Sequence, residues 1–141
     1  MCYELVLSTD APLDLTTLNT AMVFFEPSDD ERYVHNVKHQ YKYRIATGAP
    51  NSCSCDLCIV LYDSKNHITQ ELKQWINDDI EIKNTHWLFD VIKKLINDGY
   101  QVDSYVDMDG DKSKEKQTVY INNINKENFA FVDGVYYDYQ P

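Results

Sequence analysis

The residues of this chain with the clearest capacity for chemistry are its four cysteines. Cys53, Cys55 and Cys58 lie in one hexapeptide, Cys-Ser-Cys-Asp-Leu-Cys, and the fourth, Cys2, follows the first methionine. Thiolates bind soft cations such as Zn²⁺ and Cu(I), and closely spaced cysteines let a short stretch of chain surround one ion with sulfur. The spacing therefore predicts a soft-metal site, with Cys2, Cys53, Cys55 and Cys58 as the candidate ligands.

Two other roles fit the same cysteines. Free cysteine is among the most buried residue types, and Cys58, at the head of an apolar stretch, fits a packing role best. On a regular strand Cys53 and Cys55 would point to one face with Cα atoms about 6.5–7 Å apart, whereas a loop would let their sulfurs approach. Reversible redox pairing of the thiols is the further alternative. The sequence leaves metal binding, thiol redox chemistry and packing open.

An enzyme hypothesis rests on Cys2 alone. Removal of the preceding methionine would expose an N-terminal cysteine, whose own amine can activate its thiol. The Met-Cys opening resembles glutamine amidotransferases and the abasic-site crosslinking proteins, although no glycine follows Cys2 and this chain is far shorter. A nucleophilic Cys2 is therefore the third hypothesis for function.

Strands are predicted on both sides of the cysteine segment. Apolar alternation or continuous apolar runs predict strands at residues 3–9, 21–25, 40–46, 58–62, 100–106 and 118–121. Gly48, Pro50 and Asn51 mark a loop between the third and fourth of these strands. The cysteine segment is thus expected between two strands, with Cys58 at the head of the second.

Helical patterns appear in three places. Ser28 with Glu31 three residues later has capping-box spacing and predicts a short helix. Apolar residues at helical spacing over 68–76 predict the first main helix. The second main helix is clearer, with Asn84 or Thr85 as its cap, Gly99 as its end and the following apolar face: Leu88, Val91, Ile92, Leu95 and Ile96.

The chain is expected to end in sheet. Residues 100–106 and 118–121 are predicted to pair as a hairpin or meander, and residues 129–137 as a hairpin around Asp133-Gly134. Strands before and after a block of helices predict an α+β fold: a mostly antiparallel sheet packed against two main helices, as a single-layer α/β sandwich. With 141 residues, of which 43% are apolar, one domain over 1–141 is expected.

Charge and composition narrow the partners. The chain has 23 Asp and Glu against 13 Lys and Arg, a formal net charge of −10, which disfavours nucleic acids and anionic membranes as partners. It has no long apolar span and no secretory start, which predicts a cytoplasmic protein. With only 4 glycines, a glycine-rich phosphate loop is excluded. An acidic surface and 11 tyrosines also suit a non-enzymatic, inhibitor-like or immunity-like module that binds a protein partner.

The N-terminal part of the chain resembles a family of small uncharacterised bacterial proteins. The resemblance rests on the opening Met-Cys-Tyr-Glu-Leu-Val-Leu-Ser-Thr-Asp-Ala-Pro, a later tyrosine-rich strand, Gly48, and the segment Ser52-Cys53-Ser54-Cys55. It covers residues 1–60 and implies no established activity. It does imply that Cys2, Cys53 and Cys55 belong together and that Cys58 stands outside the shared pattern.

Overall fold

The computed structural model describes residues 2–60, 78–108 and 115–141, which hold eight β-strands and two α-helices. The strands are β1 (Glu4–Thr9), β2 (Val23–Pro27), β3 (Tyr41–Thr47), β4 (Ile59–Val60), β5 (Val102–Asp107), β6 (Glu115–Tyr120), β7 (Phe131–Val132) and β8 (Val135–Gln140). The helices are α1 (Glu31–Val34) and α2 (Asp79–Asn97), and short 3-10 helices lie at Leu15–Leu18, Ile121–Asn123 and Lys126–Asn128.

Six of these strands form one mostly antiparallel sheet in the order β2-β3-β1-β5-β8-β6. The central strand β1 pairs with β3 and β5, so that Leu5 lies opposite Ile45 on one side and Val106 on the other. Strand β6 runs parallel to β8, and β4 and β7 form a separate two-stranded parallel sheet. This sheet with its packed helix confirms the predicted α+β class.

Helix α2 covers one face of the sheet. Four residues of the predicted apolar face are buried in the main core with Leu5 and Leu7 of β1: Leu88, Ile92, Leu95 and Ile96. The fifth, Val91, is partly buried against that core, and Phe89, which the pattern does not include, is buried in it. Since successive strand residues alternate between faces, Val6 points to the opposite side. There it packs in a smaller cluster with Val37, Tyr105 and Tyr136. The central strands are therefore buried on both faces.

The end of α2 confirms the sequence prediction, and its start corrects it. Gly99 adopts a φ of +93° and donates its N–H to the Ile96 carbonyl, while Tyr100 donates to Leu95, which is a Schellman ending. The predicted cap at Asn84 or Thr85 is wrong. The helix begins at Asp79, because the carboxylate of Asp78 accepts from the first-turn amides and caps it.

The other helix predictions have mixed outcomes. Helix α1 is short, as expected, but its cap is Asp30 rather than Ser28, since the Asp30 carboxylate accepts the Arg32 amide. Ser28 instead accepts a hydrogen bond from the Asp30 amide at 3.3 Å. The predicted helix over 68–76 lies outside the described residues. One main helix is therefore described, where the sequence predicts two.

Both predicted hairpins are wrong, because β8 pairs with more distant strands. It lies between β5 and β6, which therefore do not pair with each other, and β7 pairs with β4 rather than with β8. Strand β8 carries buried Val135, Tyr136, Tyr137 and Tyr139, which suits an interior position. The side chains of β6 are mostly exposed, which suits an edge strand.

Candidate metal centre

One buried serine fixes the middle of the cysteine segment to the sheet. Ser54 is 0% exposed, accepts the Leu5 amide at 2.9 Å and donates its hydroxyl to the Ile45 carbonyl. Leu5 and Ile45 lie opposite each other on β1 and β3, so the hydroxyl bridges two strands. The Ser54 amide also donates to the Tyr3 carbonyl at 2.9 Å. The segment is thereby held against the start of β1.

This inward serine determines where the cysteines point. Cys53 and Cys55 flank Ser54 in a loop, and Cys2 immediately precedes the anchored Tyr3. The sulfur atoms of Cys2, Cys53 and Cys55 lie within 4.8 Å of one another, and those of Cys53 and Cys55 are 3.1 Å apart. The fold thus brings the sulfur of Cys2 to those of Cys53 and Cys55, which lie some fifty residues further along the chain.

Thr47, the last residue of β3, holds the same loop from its other side. Its amide and hydroxyl both donate to the Cys53 carbonyl, at 3.0 and 2.9 Å. The hydroxyl oxygen also accepts the Asp56 amide at 3.1 Å. The next residue, Gly48, has a φ of +80°, which glycine adopts without strain, and its amide donates to the Met22 carbonyl. The chain can therefore turn sharply out of β3 into the loop.

A half-buried arginine ties the loop to two strands. The Arg44 guanidinium pairs with Glu4 of β1 at 2.9 Å and with Glu26 of β2 at 2.7 Å, and it donates to the Ser52 carbonyl. Burial opposes its charge, but hydrogen bonds and charge–charge attraction from both glutamates outweigh burial and raise the pKa of Arg44. Glu26 also accepts the Asn51 amide at 2.8 Å. This network orients the loop without touching the sulfurs.

The three clustered thiols do not ionise alike. For Cys53, burial alone would raise the pKa, but hydrogen bonds from Cys2, Cys55 and backbone amides outweigh burial and lower it. Burial and the hydrogen bond to Cys53 raise the pKa of Cys55 to about 12. The hydrogen bond to Cys53, then burial, raises the pKa of Cys2. Cys53 is thus the first thiolate of the group, stabilised by two neighbouring S–H donors.

The raised pKa of Cys2 bears on the enzyme hypothesis. The thiolate is the reactive form of cysteine, and the shift at Cys2 is upward, with the hydrogen bond to Cys53 as its largest cause. Activation of Cys2 by its own amine after removal of Met1 would not depend on this shift, and it stays a prediction.

Cys58, the fourth candidate ligand, is not a member of this group. Its side chain belongs to the main core and is only 5% exposed, and burial raises the pKa of its thiol. Its amide donates to the Thr85 hydroxyl at 2.8 Å. The structure therefore places Cys58 where the packing alternative expects it.

Two polar residues of α2 complete the support of the loop. Asn84 donates its side-chain amide to the Asp56 carbonyl at 3.1 Å, and Thr85 accepts the Cys58 amide. Both lie on the buried side of the helix, which explains why neither acts as its cap. Asn84 and Thr85 precede Leu88 by four and three residues, so they extend the apolar face of α2. That helical spacing is the sequence signal that predicts their contact with the loop.

The sulfur separations bracket those that a bound metal ion requires. An ion bonded to sulfur at about 2.3 Å requires sulfur separations of about 3.8 Å in tetrahedral and about 4.0 Å in planar trigonal geometry. The observed separations run from 3.1 Å to at most 4.8 Å, so small side-chain rotations suffice. Among residues 2–60, 78–108 and 115–141, no other Cys, His, Asp or Glu joins the group. The arrangement can bind a soft cation, or form a Cys53–Cys55 disulfide under oxidation.

Comparison of the chain with models of protein families, with curated proteins and with solved structures finds no match. In the described part of the chain, none of the helices has the length and apolar character needed to cross a membrane.

Proposed function

We propose that this protein binds one soft metal ion, Zn²⁺ or Cu(I), through the sulfurs of Cys2, Cys53 and Cys55. The observation that carries the proposal is the approach of these three sulfurs to within 4.8 Å of one another. Soft thiolate ligands select such ions over Mg²⁺ or Ca²⁺, which prefer oxygen. A reducing compartment such as the cytoplasm, which the sequence predicts, would keep the thiols free to bind.

Exposure separates these cysteines from ordinary packing thiols. Cys2 and Cys55 are exposed and Cys53 is half-buried, whereas Cys58 is buried. A cysteine that serves only in packing is usually buried. A packing role therefore does not explain why three thiols lie together at the surface. Metal binding and thiol redox chemistry both supply a reason, and the two are separated by experiment.

The test is metal and thiol analysis of protein purified without an affinity tag. We expect about one equivalent of zinc or copper per chain, and three additional reactive thiols after chelation. Cys2→Ser, Cys53→Ser and Cys55→Ser should each weaken binding by at least about 100-fold, because even removal of outer-shell partners costs 10–100-fold. Cys58→Ser is the matched control and should bind the ion as the parent does.

Two results would reject metal binding. Metal-free protein that takes up neither Zn²⁺ nor Cu(I), with Cys2, Cys53 and Cys55 all reactive, would leave no role for the cluster as a metal site. Protein that takes up neither ion but loses two thiols reversibly with oxidised glutathione would assign the cluster to redox chemistry instead.

A second candidate function, a protein-binding module, is favoured by an apolar groove. The groove, of about 430 Å³, lies between the Leu15–Leu18 turn and α2. Leu13 and Leu18 are 48% and 44% exposed beside it. Three carboxylates and one lysine surround it: Asp14, Asp90, Asp98 and Lys94. Lys94 pairs with Asp98 at 3.2 Å and Lys126 with Asp90 at 3.3 Å, so charge at the groove is close to balance. It is the net charge of −10 of the chain that suits a basic amphipathic segment of a partner protein.

A lysine- and leucine-rich amphipathic helical peptide is the probe for this groove. With Trp75→Phe as the background, saturable binding should change the fluorescence of Trp87, which lines the groove. Leu18→Asp should abolish that change, and replacing all four cysteines by serine should leave it intact. No saturable change at low salt, or an equal change with Leu18→Asp, would reject the groove as the binding surface.

A further inference from the structure

The proposed metal site is open to solvent on one side. Cys2 and Cys55 are exposed and Cys53 is half-buried. Structural zinc sites are closed by four protein ligands. An ion held by these three sulfurs would instead keep an open outer side, where another ligand can approach it.

The ligand set also discriminates between metals. The group contains three thiolates, and the described ranges add no fourth Cys, His, Asp or Glu to it. Zn²⁺ in proteins is almost always four-coordinate in structural sites. Cu(I) is softer and monovalent, and three thiolates alone satisfy it. Three sulfurs without a nitrogen or oxygen partner therefore favour Cu(I).

The site is assembled by hydrogen bonds rather than by the ion. Ser54 bridges Leu5 and Ile45, and Thr47 makes two hydrogen bonds to the Cys53 carbonyl. In domains that depend on a structural metal, the site does not exist until the ion binds. Here the contacts that place the sulfurs are made by backbone and hydroxyl groups, so we expect the loop to keep its place when the ion leaves.

We propose, building on the proposed function, that Cys2, Cys53 and Cys55 carry Cu(I) as an exchangeable cargo that is passed to incoming thiols. In each exchange a bond forms between copper and an incoming sulfur while one of its bonds to Cys2, Cys55 or Cys53 breaks, and the ion leaves the protein when all three bonds have been exchanged. The proton of the incoming thiol moves to the released cysteine sulfur. Copper stays Cu(I) throughout, so the transfer requires neither oxidant nor reductant.

The experiment titrates the metal-free full chain with Cu(I) under anaerobic conditions against bicinchoninate, and separately with Zn²⁺ against a zinc chelator. X-ray absorption then counts the sulfur neighbours of each bound ion. We expect one Cu(I) with three sulfur neighbours, and displacement of Zn²⁺ by Cu(I). Added glutathione should take up the copper within minutes, and circular dichroism should show the same fold before and after release.

Two cysteine variants distinguish the loss of a copper ligand from a general loss of structure. Cys58→Ser, the matched control, should keep three sulfur neighbours and the parent affinity. Cys55→Ser should fold normally but bind Cu(I) at least about 100-fold more weakly.

The outcomes distinguish this inference from the proposed function. Tighter binding of Zn²⁺ in a four-ligand site, or unfolding of the chain on metal removal, would overturn the cargo inference and leave metal binding intact. Copper that glutathione cannot remove would also overturn it. Failure to retain either ion would overturn both proposals.

Discussion

Replacement of Ser54 by alanine tests how the cysteine loop is held. The Ser54 hydroxyl is fully buried and bridges the Leu5 amide, at 2.9 Å, and the Ile45 carbonyl. The Ser54→Ala variant would keep the backbone contact to Tyr3 but lose both hydroxyl bonds. The substitution therefore deletes the bridge with little change in side-chain volume.

The expected cost follows from the two groups left behind. A buried donor or acceptor without a partner costs about 1–3 kcal/mol, so losing both bonds should destabilise the protein by about 2–6 kcal/mol. Domains of this size are stable by about 5–15 kcal/mol, so Ser54→Ala should still fold. Since the bridge also orients Cys53 and Cys55, metal affinity should fall by about 10-fold, as for the loss of an outer-shell partner.

Urea unfolding of the metal-free protein, followed by circular dichroism, measures the stability change. With a slope of about 2 kcal/mol per molar urea, a loss of about 3 kcal/mol lowers the midpoint by about 1.5 M. Ser28→Ala is the matched control, because it removes one half-exposed hydroxyl that accepts the Asp30 amide at 3.3 Å. It should cost less than about 1 kcal/mol.

A loss below about 1 kcal/mol in Ser54→Ala, equal to that in the Ser28 control, would refute the bridging role of the hydroxyl. Unchanged metal affinity in a variant that is destabilised as expected would show that the bridge supports the fold but not the sulfur positions.

Three further predictions concern the loop and its surroundings. Gly99→Ala should cost about 1–2 kcal/mol for its positive φ alone, and Gly48→Ala should cost more in thermal unfolding, because its new Cβ would lie 3.0 Å from the Asp56 carboxylate. Equal losses would contradict that reasoning. Thr85→Val should lose about 1–3 kcal/mol in urea, because the Cys58 amide loses its acceptor; a neutral result would refute that contact. In metal-free protein at pH 7, iodoacetamide should modify Cys53 before Cys55, because the pKa of Cys53 is lowered and that of Cys55 is raised to about 12. As the pH is lowered, the rate of modification at Cys53 should fall through a midpoint below the ordinary thiol pKa of 9.0. Faster modification of Cys55 than of Cys53 would contradict this order of reactivity.

Local patterns predicted the elements well but not their partners. The apolar face of α2 and its ending at Gly99 follow from residues close in sequence, so their spacing suffices. Asp133-Gly134 does form a turn at a positive-φ glycine, yet β7 and β8 on either side of it pair elsewhere. The pairing of strands depends on which strands, distant in sequence, lie next to each other in the folded sheet. A short sequence pattern carries no information about that arrangement.

The caps show a similar competition between local and distant contacts. Asn84 and Thr85 have suitable types for a helix cap, but the cysteine loop occupies their side chains in the folded chain. Asp78, which caps α2, has an equally suitable type and stands before two acidic first-turn residues. Asn84 and Thr85 are the only predicted caps of α2, and their contacts with the cysteine loop leave the capping role to Asp78.

The sulfur cluster was only partly predictable. Proximity of Cys53 and Cys55 follows from their spacing in a loop, and burial of Cys58 follows from the apolar stretch that it heads. The approach of Cys2 depends on Ser54, which reaches β1 from a loop 49 residues further along. Arg44 and its two glutamates, which brace the loop, gave no sequence signal because each lies on a different strand.

Thiol protection mapped residue by residue tests the metal site most directly. Protein loaded with one equivalent of Cu(I) or Zn²⁺ and metal-free protein would be alkylated in parallel, digested and compared by mass spectrometry. Metal should protect Cys2, Cys53 and Cys55 together, and Cys58 should react slowly in both samples because it is buried. Identical labelling of Cys2, Cys53 and Cys55 with and without metal would contradict a shared three-sulfur site.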